Sequence, residues 1–367
     1  MIYTSIFGEL TKATQIRIDK ASEQKIRLFD QAIYERYLTW DTPQVGLSFE
    51  EIIGSYGISI AAATMEANGK APIIGTEGLE TWAKSMLLHA LGKEMQAAEF
   101  RKVLELLDSK RIDDKAKAQL LIDTMFKNVS FVVNGVKAKL DMMFLGALSN
   151  NGVYTFTSDN NSEAGTRGTI DYKMPEENKA LVKTSWTDEN ILTVDCWEDL
   201  QAVVDAAEDK VKLSKMLMSR AKLSYILRNK AMKQVIFGAD KKNSPLLVSQ
   251  LNEFLAENDM PSIEVVRREV RVQSGGGTPV PHTPWNTDMI AFVPEGTLGV
   301  IKNAYADSEL RPEEGIAYSN VGRIRVSQWG VGEKEGSNGA EMTRAQVLAM
   351  PVFTEINAIY NLNTIRP

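Results

Sequence analysis

The chain has 367 residues, enough for a large core or for two to three domains. Apolar residues make up 44% and charged residues 25%, as in ordinary globular proteins, and a formal charge of -6 argues against a dedicated DNA binder while allowing a local basic face. Two histidines and one cysteine exclude an internal disulfide and a Cys/His metal cluster, which leaves carboxylates and lysines as the main chemical resource.

The first residues, MIYTSIFGEL, have no basic region followed by an apolar core and do not read as a signal peptide. No apolar run reaches the roughly 18 residues that a membrane helix needs, so no membrane partner is expected. Met1 to Lys20 reads as an extended arm. Ser22 to Leu38 is expected to be an amphipathic helix, with Ile26, Phe29, Ile33 and Tyr37 on one stripe. Ile58 to Met65 alternates like a strand, and Gly69 to Thr81, GKAPIIGTEGLET, follows it. Trp82 to Leu91 then resumes apolar character. Two strands cannot bury their own side chains, so an arm of this kind needs another surface to lie on.

Met95 to Leu107 is expected to be a short helix with Phe100, Val103, Leu104 and Leu107 inward. Leu121, Met125, Val129, Val132, Val136, Leu140, Met143 and Ala147 step by three or four. They predict a helix over Asp113 to Leu148, roughly 50 Å long at about 1.5 Å per residue. Asn134-Gly135 is the place for a kink in it, or for a turn between two shorter helices. Asn150-Asn151-Gly152 can end it through a left-handed cap. Val153 to Thr157 and Thr169 to Tyr172 read as a hairpin with a polar tip.

From Trp186 short helices and strands alternate. Asp195 and Glu198 suit a capped helix start, Lys212 to Met218 a strand, Ser219 a cap for Arg220 to Lys230, and Leu246 to Leu255 a helix. Ile263 to Val272, Met289 to Val293, Leu298 to Ile301, Val321 to Trp329 and Ala345 to Phe353 are strand candidates. Ser274 to Pro284 and Gly330 to Gly339 read as loops, and Pro351 as an edge or a strand end.

Sites for chemistry are weak. Gly275-Gly276-Gly277 lacks the trailing Lys and Ser/Thr of a phosphate loop, and Gly75-Thr-Glu-Gly78 is no stronger. His282 lies between prolines and is expected at the surface, His89 in a structural role. Cys196 stands at a helix start, which can lower a thiol pKa, but a packed, inert thiol is the simpler reading. Asp113-Asp114 and Glu176-Glu177 read as solvated faces. Phe156 to Glu208 is acidic and Asp209 to Lys242 basic, with Lys210, Lys212, Lys215, Arg220, Lys222, Arg228, Lys230 and Lys233. That pattern fits either two solvated faces of one domain or complementary charge between subunits. A nucleic-acid site is the weaker third reading, because no aromatic platform accompanies the basic run.

Several segments together resemble the major capsid proteins of tailed phages, in particular the major capsid protein E family of the phage lambda major head protein. Ala71-Pro72-Ile73-Ile74 with Glu77-Gly78-Leu79-Glu80 resembles that family's extended loop. Val136 to Asn151, ending LGALSNNG, resembles the end of its spine helix. Trp186, Asp188, Trp197 and Asp199-Leu200 resemble the start of its axial domain, with the helix Ser219 to Asn229 further on, and Ala345 to Ile365 its closing strands. The family's loop usually carries Arg near Glu-Gly-x-Glu, where this chain has Thr76 and Thr81. Lys230 to Ser249 has no counterpart.

The resemblance implies an α+β chain with the Hong Kong 97-type capsid fold. It implies an N-terminal arm and helix (1–52), an extended β-hairpin loop (53–94), a peripheral domain (95–185 and 321–367) on a spine helix near 113–149, and an axial domain (186–320). It implies a non-enzymatic structural protein of the virion, made in the host bacterial cytoplasm, with no cofactor and no metal. Hexamers and pentamers would close into an icosahedral shell around double-stranded DNA bound without sequence specificity. Other implied partners are a scaffolding protein, a portal at one vertex, and decoration proteins. Expected contacts between subunits are Ile73, Ile74, Glu77, Leu79, Glu80 and Trp82 in the loop, Ile26, Phe29, Ile33 and Tyr37 as an N-terminal brace, and Thr278, Val280 and His282 in an axial loop. Covalent Lys–Asn cross-linking through Lys70 is not expected. The alternatives are an encapsulin-like cellular shell and, from another class, a monomeric carboxylate-dependent hydrolase.

Overall fold

The computed structural model describes residue 15 and residues 31–53, 80–95, 97–108, 113–161, 165–238, 243–272, 278–331 and 340–366. In chain order these form strands β1 (Leu38–Trp40), β2 (Ser48–Ile53), β3 (Glu80–Ser85) and β4 (Leu87–Glu94), then helices α1 (Ala97–Asp108) and α2 (Asp114–Leu148). Strands β5 (Val153–Phe156), β6 (Gly168–Asp171) and β7 (Lys179–Leu181) follow, then helix α3 (Cys196–Ala207) and strand β8 (Leu213–Met218). Helices α4 (Arg220–Arg228), α5 (Lys230–Phe237) and α6 (Val248–Glu257) precede strands β9 (Ser262–Val265), β10 (Val270–Val272), β11 (Val280–His282), β12 (Met289–Pro294) and β13 (Gly299–Ala304). The chain closes with helix α7 (Asp307–Leu310) and strands β14 (Ala317–Val321), β15 (Ile324–Val331), β16 (Ala340–Val352) and β17 (Tyr360–Asn363).

Contacts divide the chain into two units. The first holds the described residues through Phe49, with Lys84–Asp141 and Ile301–Pro351. The second holds the described residues of Glu50–Ala83, Met142–Val300 and Val352–Pro367. Met142 to Ser185 group with the second unit, and Ile301 to Asn320 with the first.

The first unit is built on a sheet of order β1-β13-β16-β15-β14, with β4 also paired to β16. Along β16, Glu341, Thr343, Ala345, Val347 and Ala349 are buried, and Met342, Arg344, Gln346 and Leu348 are half-buried. This period of two is that of an antiparallel strand with one covered face. Most of α2 belongs to this unit, and its Met125, Val129, Val132, Val136 and Leu140 are all buried, as their spacing predicts. The helix runs 35 residues without a break. Gly135 therefore marks no turn between two shorter helices. A Cβ there would lie 2.3 Å from Leu91 Cδ2, so the glycine allows β4 to approach the helix.

The expected helix over Ser22 to Leu38 needs correction at its described end. Tyr34–Arg36 forms one 3₁₀ turn, and Leu38 begins β1, which lies beside β13. Asp41 N–H donates to Ile301 O at 3.1 Å, so pairing at the sheet edge outweighs the helical stripe. Val321 to Trp329 is likewise two strands. β14 and β15 form a hairpin through Gly322-Arg323, with Gly322 at φ 59°.

The second unit centres on a sheet of order β7-β17-β12-β8-β9. β12, MIAFVP, is buried from Met289 to Val293, as a central strand should be. One side packs α3 to α6 onto the sheet through Trp186, Leu200, Val203, Ile226, Met232, Leu251 and Phe292. Trp186 is fully buried and donates from Nε1 to Asp199 Oδ2 at 2.8 Å. Caps set the helix starts: Asp195 accepts from Glu198 N–H, Ser219 from Lys222 N–H, and Asn229 from Met232 N–H. Asn229 thus ends α4 and starts α5, where the sequence predicts a single helix to Lys230 and the resemblance gives Lys230 to Ser249 no counterpart. Ile263 to Val272 also splits. β9 runs parallel to β8 and β10 antiparallel to β11, with Val266-Arg267-Arg268-Glu269 between them. α2 ends as expected at Asn151 (φ 54°) and Gly152 (φ 74°), followed by the β5–β6 hairpin.

Candidate assembly surfaces

The basic run finds partners within its own unit. Lys210 pairs with Glu177 at 2.7 Å, Lys212 with Asp259 at 2.9 Å, Lys215 with Glu264 at 3.4 Å and Arg228 with Asp188 at 3.1 Å. Lys222 is different: its side chain is only 4% exposed, 2.9 Å from Asp288, and lies over the Tyr225 ring. The pattern of acidic and basic segments is thus largely answered inside the fold, as charged faces of one unit. Arg220, Lys230 and Lys233 make no ion pair with described residues.

The reactive-looking groups are structural. Cys196 is buried, and burial pushes its thiol pKa up, against the lowering that a helix start can cause. His89 is buried beside the Ala349 carbonyl, with Nε2 3.2 Å away, and burial lowers its pKa to about 4. His282 is half-buried on β11 rather than on an exposed loop. Asp113 accepts from Ala116 N–H at the start of α2, and Glu176 pairs with Lys179. Gly275 to Gly277, Gly75 and Gly78 lie outside the described residues. Among the described residues no group of His, Cys, Asp and Glu could hold a metal ion, and no helix is long and apolar enough to cross a membrane.

The structure scatters the residues singled out for subunit contact. Ile73, Ile74, Glu77 and Leu79 lie outside the described residues, as do Ile26 and Phe29. Glu80 and Trp82 stand on β3, which pairs with β2 in a two-stranded ladder. Ile33 is half-buried. Tyr37 is buried against its own unit and so is not a free brace for a neighbour. Thr278 is exposed, and Val280 is 58% exposed on the β10–β11 hairpin. The expected loop Ser274 to Pro284 thus becomes a strand at Val280.

The sequence reading missed a groove of about 700 Å³ in the first unit. It lies between β4, β16 and α7 and is lined by Leu88, Leu310, Leu348, Arg311, Arg344 and Gln346, among others. Leu88 is 53% and Leu310 49% exposed. The signal was present in β4, whose outer positions read Leu88, Ala90, Gly92: one large residue and then two small ones.

The family model of phage major capsid protein E matches residues 93–363, from the end of β4 to the end of β17. The chain belongs to this family. Among solved structures, one described as the capsid protein of an E. coli CFT073 prophage is similar at 13% identity, with 99% of each chain covered and a TM-score of 0.58. A phage-related protein from Bordetella bronchiseptica RB50 has 10% identity over 99% of this chain and 98% of its own, with a TM-score of 0.48. A virus-like particle protein from Pyrococcus furiosus has 9% identity over 98% and 100%, with a TM-score of 0.44. No curated protein sequence matches. As a phage major capsid protein E, the chain has the α+β Hong Kong 97-type fold, with α2 as its spine helix. Its role is structural: it forms the capsid shell of a tailed phage, by self-association, and its place is the virion capsid.

Proposed function

We propose that the shell is assembled from hexamers and pentamers, with the arm between β2 and β3 of each subunit lying across a neighbour. The observation that carries this reading is the β2–β3 ladder. It is two strands wide, and the sequence it brackets, Gly54 to Leu79, carries Ile58, Ile60, Ile73, Ile74 and Leu79. Two strands offer too little surface to bury such residues, so a neighbour supplies it. At about 25 cal/mol per Å², a few side chains contribute several kcal/mol per contact before entropy, and repetition around a shell makes modest contacts sufficient. Ile73, Ile74, Glu77, Leu79, Glu80 and Trp82 are the arm contacts, with Ile26, Phe29 and Ile33 bracing the same neighbour. Thr278, Val280 and His282 meet symmetry mates around a capsomer axis, in an axial region that begins at Trp186.

The shell encloses double-stranded DNA without sequence specificity. A scaffolding protein guides its assembly, a portal occupies one vertex, decoration proteins attach outside, and synthesis takes place in the host cytoplasm. The chain acts without enzymatic chemistry of its own. Sedimentation velocity and negative-stain imaging of the purified protein test the reading. Shells or capsomers are expected, and a species that stays a single subunit at every concentration and salt would overturn it.

A further inference from the structure

Helices α4 and α5 carry charge that the fold does not use up. From Ser219 to Gly238 the sequence reads SRAKLSYILRNKAMKQVIFG, with five cations and no carboxylate. Two of the five are committed within the unit: Lys222 lies 2.9 Å from Asp288, and Arg228 lies 3.1 Å from Asp188. The Arg228 pair is exposed on both sides, where water weakens it. Arg220 and Lys230 are exposed and Lys233 is half-buried, and none of the three pairs with a carboxylate among the described residues. Arg220, Ser224 and Arg228 stand four residues apart and are all exposed, so they form one ridge of α4, about 12 Å long at about 1.5 Å per residue. Lys230 follows Arg228 by two residues, which keeps it within about 7 Å by chain length alone. Lys233 comes one turn further along α5.

Local stability does not account for these cations. Arg220 and Lys230 are the first residues of α4 and α5, directly after the caps Ser219 and Asn229. The helix dipole disfavours positive charge there, and neither residue has an acid to offset it. Two breaches of a local rule, with no compensating partner inside the fold, point to a contact outside it. Tyr225 narrows the kind of contact. Its ring centroid is 5.0 Å from Lys222 Nζ and 5.2 Å from the Arg228 guanidinium, so two cations engage the ring and it is no free platform for a stacked base. A protein partner would call for an apolar seat at the centre of its contact, and the ridge Arg220, Ser224, Arg228 is polar throughout. Exposed cations around a hydroxyl suit phosphates whose bases are paired and turned inward.

We propose that the basic face of α4 and α5, formed by Arg220, Ser224, Arg228, Lys230 and Lys233, holds the phosphate backbone of double-stranded DNA. The inference rests on the reading that the shell encloses such DNA, and it names the residues that meet it. A duplex carries one charge per about 1.7 Å of its axis, so a ridge of about 12 Å spans several phosphates. With no group placed to read a base edge, the contact is indifferent to sequence. The chain as a whole has a formal charge of -6 and repels a polyanion, so the patch fixes which face of the second unit the DNA approaches.

Fluorescence anisotropy of a labelled DNA duplex with unassembled subunits tests the patch. R220Q/K230Q/K233Q should weaken binding by about tenfold or more at low salt and reduce the slope of log affinity against log salt by about three. R220K/K230R/K233R keeps the charge and should bind like the wild type. R167Q/R311Q/R323Q removes as much charge from exposed positions elsewhere and should leave binding nearly unchanged. Circular dichroism is the folding control, and the loss of cations that the helix dipole disfavours should not unfold α4 or α5. Wild-type binding by R220Q/K230Q/K233Q would overturn the proposal. So would an equal loss in R167Q/R311Q/R323Q, which would reduce the effect to net charge. Polyglutamate bound as tightly as the duplex, and lost in the same variant, would assign the patch to an acidic protein and overturn the DNA occupant. The nucleic-acid content of purified particles separates the two levels. Wild-type particles without double-stranded DNA break the reading of the shell's content, whereas DNA-filled particles with R220Q/K230Q/K233Q binding unchanged break only the patch.

Discussion

The spine helix α2 is 35 residues long with an apolar stripe, whereas β2 and β3 are six-residue strands, SFEEII and ETWAKS, that bracket the arm sequence. Every described step of the α2 stripe from Met125 to Ala147 is buried within the chain. Among the described residues the ladder has two strands. The first element therefore contributes to the stability of the subunit, and in the proposed reading the arm bracketed by the second contributes to the stability of the assembly. A shell protein needs both. The subunit must fold before it meets neighbours, and part of its apolar sequence must wait for them.

If the interior carries subunit stability, its tightest contacts should be the most sensitive. The largest effect is expected at Gly299. A Cβ there would lie 2.0 Å from the Val352 carbonyl oxygen and 2.9 Å from Phe353 Cα, both backbone atoms that cannot swing away. G299A should cost about 4 kcal/mol or prevent folding, read by denaturant unfolding of unassembled subunits. L140A, which empties a fully buried site on α2, should cost about 3 kcal/mol in the same measurement.

His89 gives the interior a pH signature. Its folded pKa, about 4, lies below the ordinary histidine value because burial disfavours the charged ring. The unfolded chain therefore takes up a proton near pH 6.5 that the folded chain refuses until about pH 4. Stability from this group is full above pH 6.5, falls as the pH drops toward 4, and is level below. The total loss is about 3 kcal/mol. Unfolding midpoints for wild type and H89Q across that range should converge at the acid end; parallel curves would remove His89 as the cause.

G135A should change stability by no more than about 1 kcal/mol. The better helix propensity of alanine offsets the shift of Leu91, whose clashing atom is the end of a flexible side chain. The smallest effect on the subunit is expected in the arm. I73S with I74S should move the unfolding midpoint by less than about 0.5 kcal/mol yet sharply reduce particle yield. A large loss of subunit stability would show that the arm packs on its own chain and would collapse the contrast with α2.

The parts legible in the sequence are those where local pattern and packing agree. The α2 stripe, the Asn151-Gly152 cap, and the Asp195 and Ser219 caps could be read because each is set by residues within a turn or two. The parts that could not be read depend on distant partners. Leu38 is a strand residue because β13 lies beside it, and Ile263 to Val272 divides because β8 takes one half and β11 the other. Gly135 looked like a break and is a packing site, since Leu91 is far away in sequence. The groove was hidden for the same reason: Gly92 and Arg344 are neighbours only through strand register. His282 and the Lys212 to Arg228 charges changed from loose surface features to elements of one unit once their partners were placed.

Sedimentation velocity of the subunit lacking Gly69–Glu80, beside wild type and with circular dichroism as the folding control, tests the central claim most directly. The account predicts a folded, soluble subunit that forms no shells at concentrations where the wild type assembles. Shells of normal size from the deleted protein would contradict it.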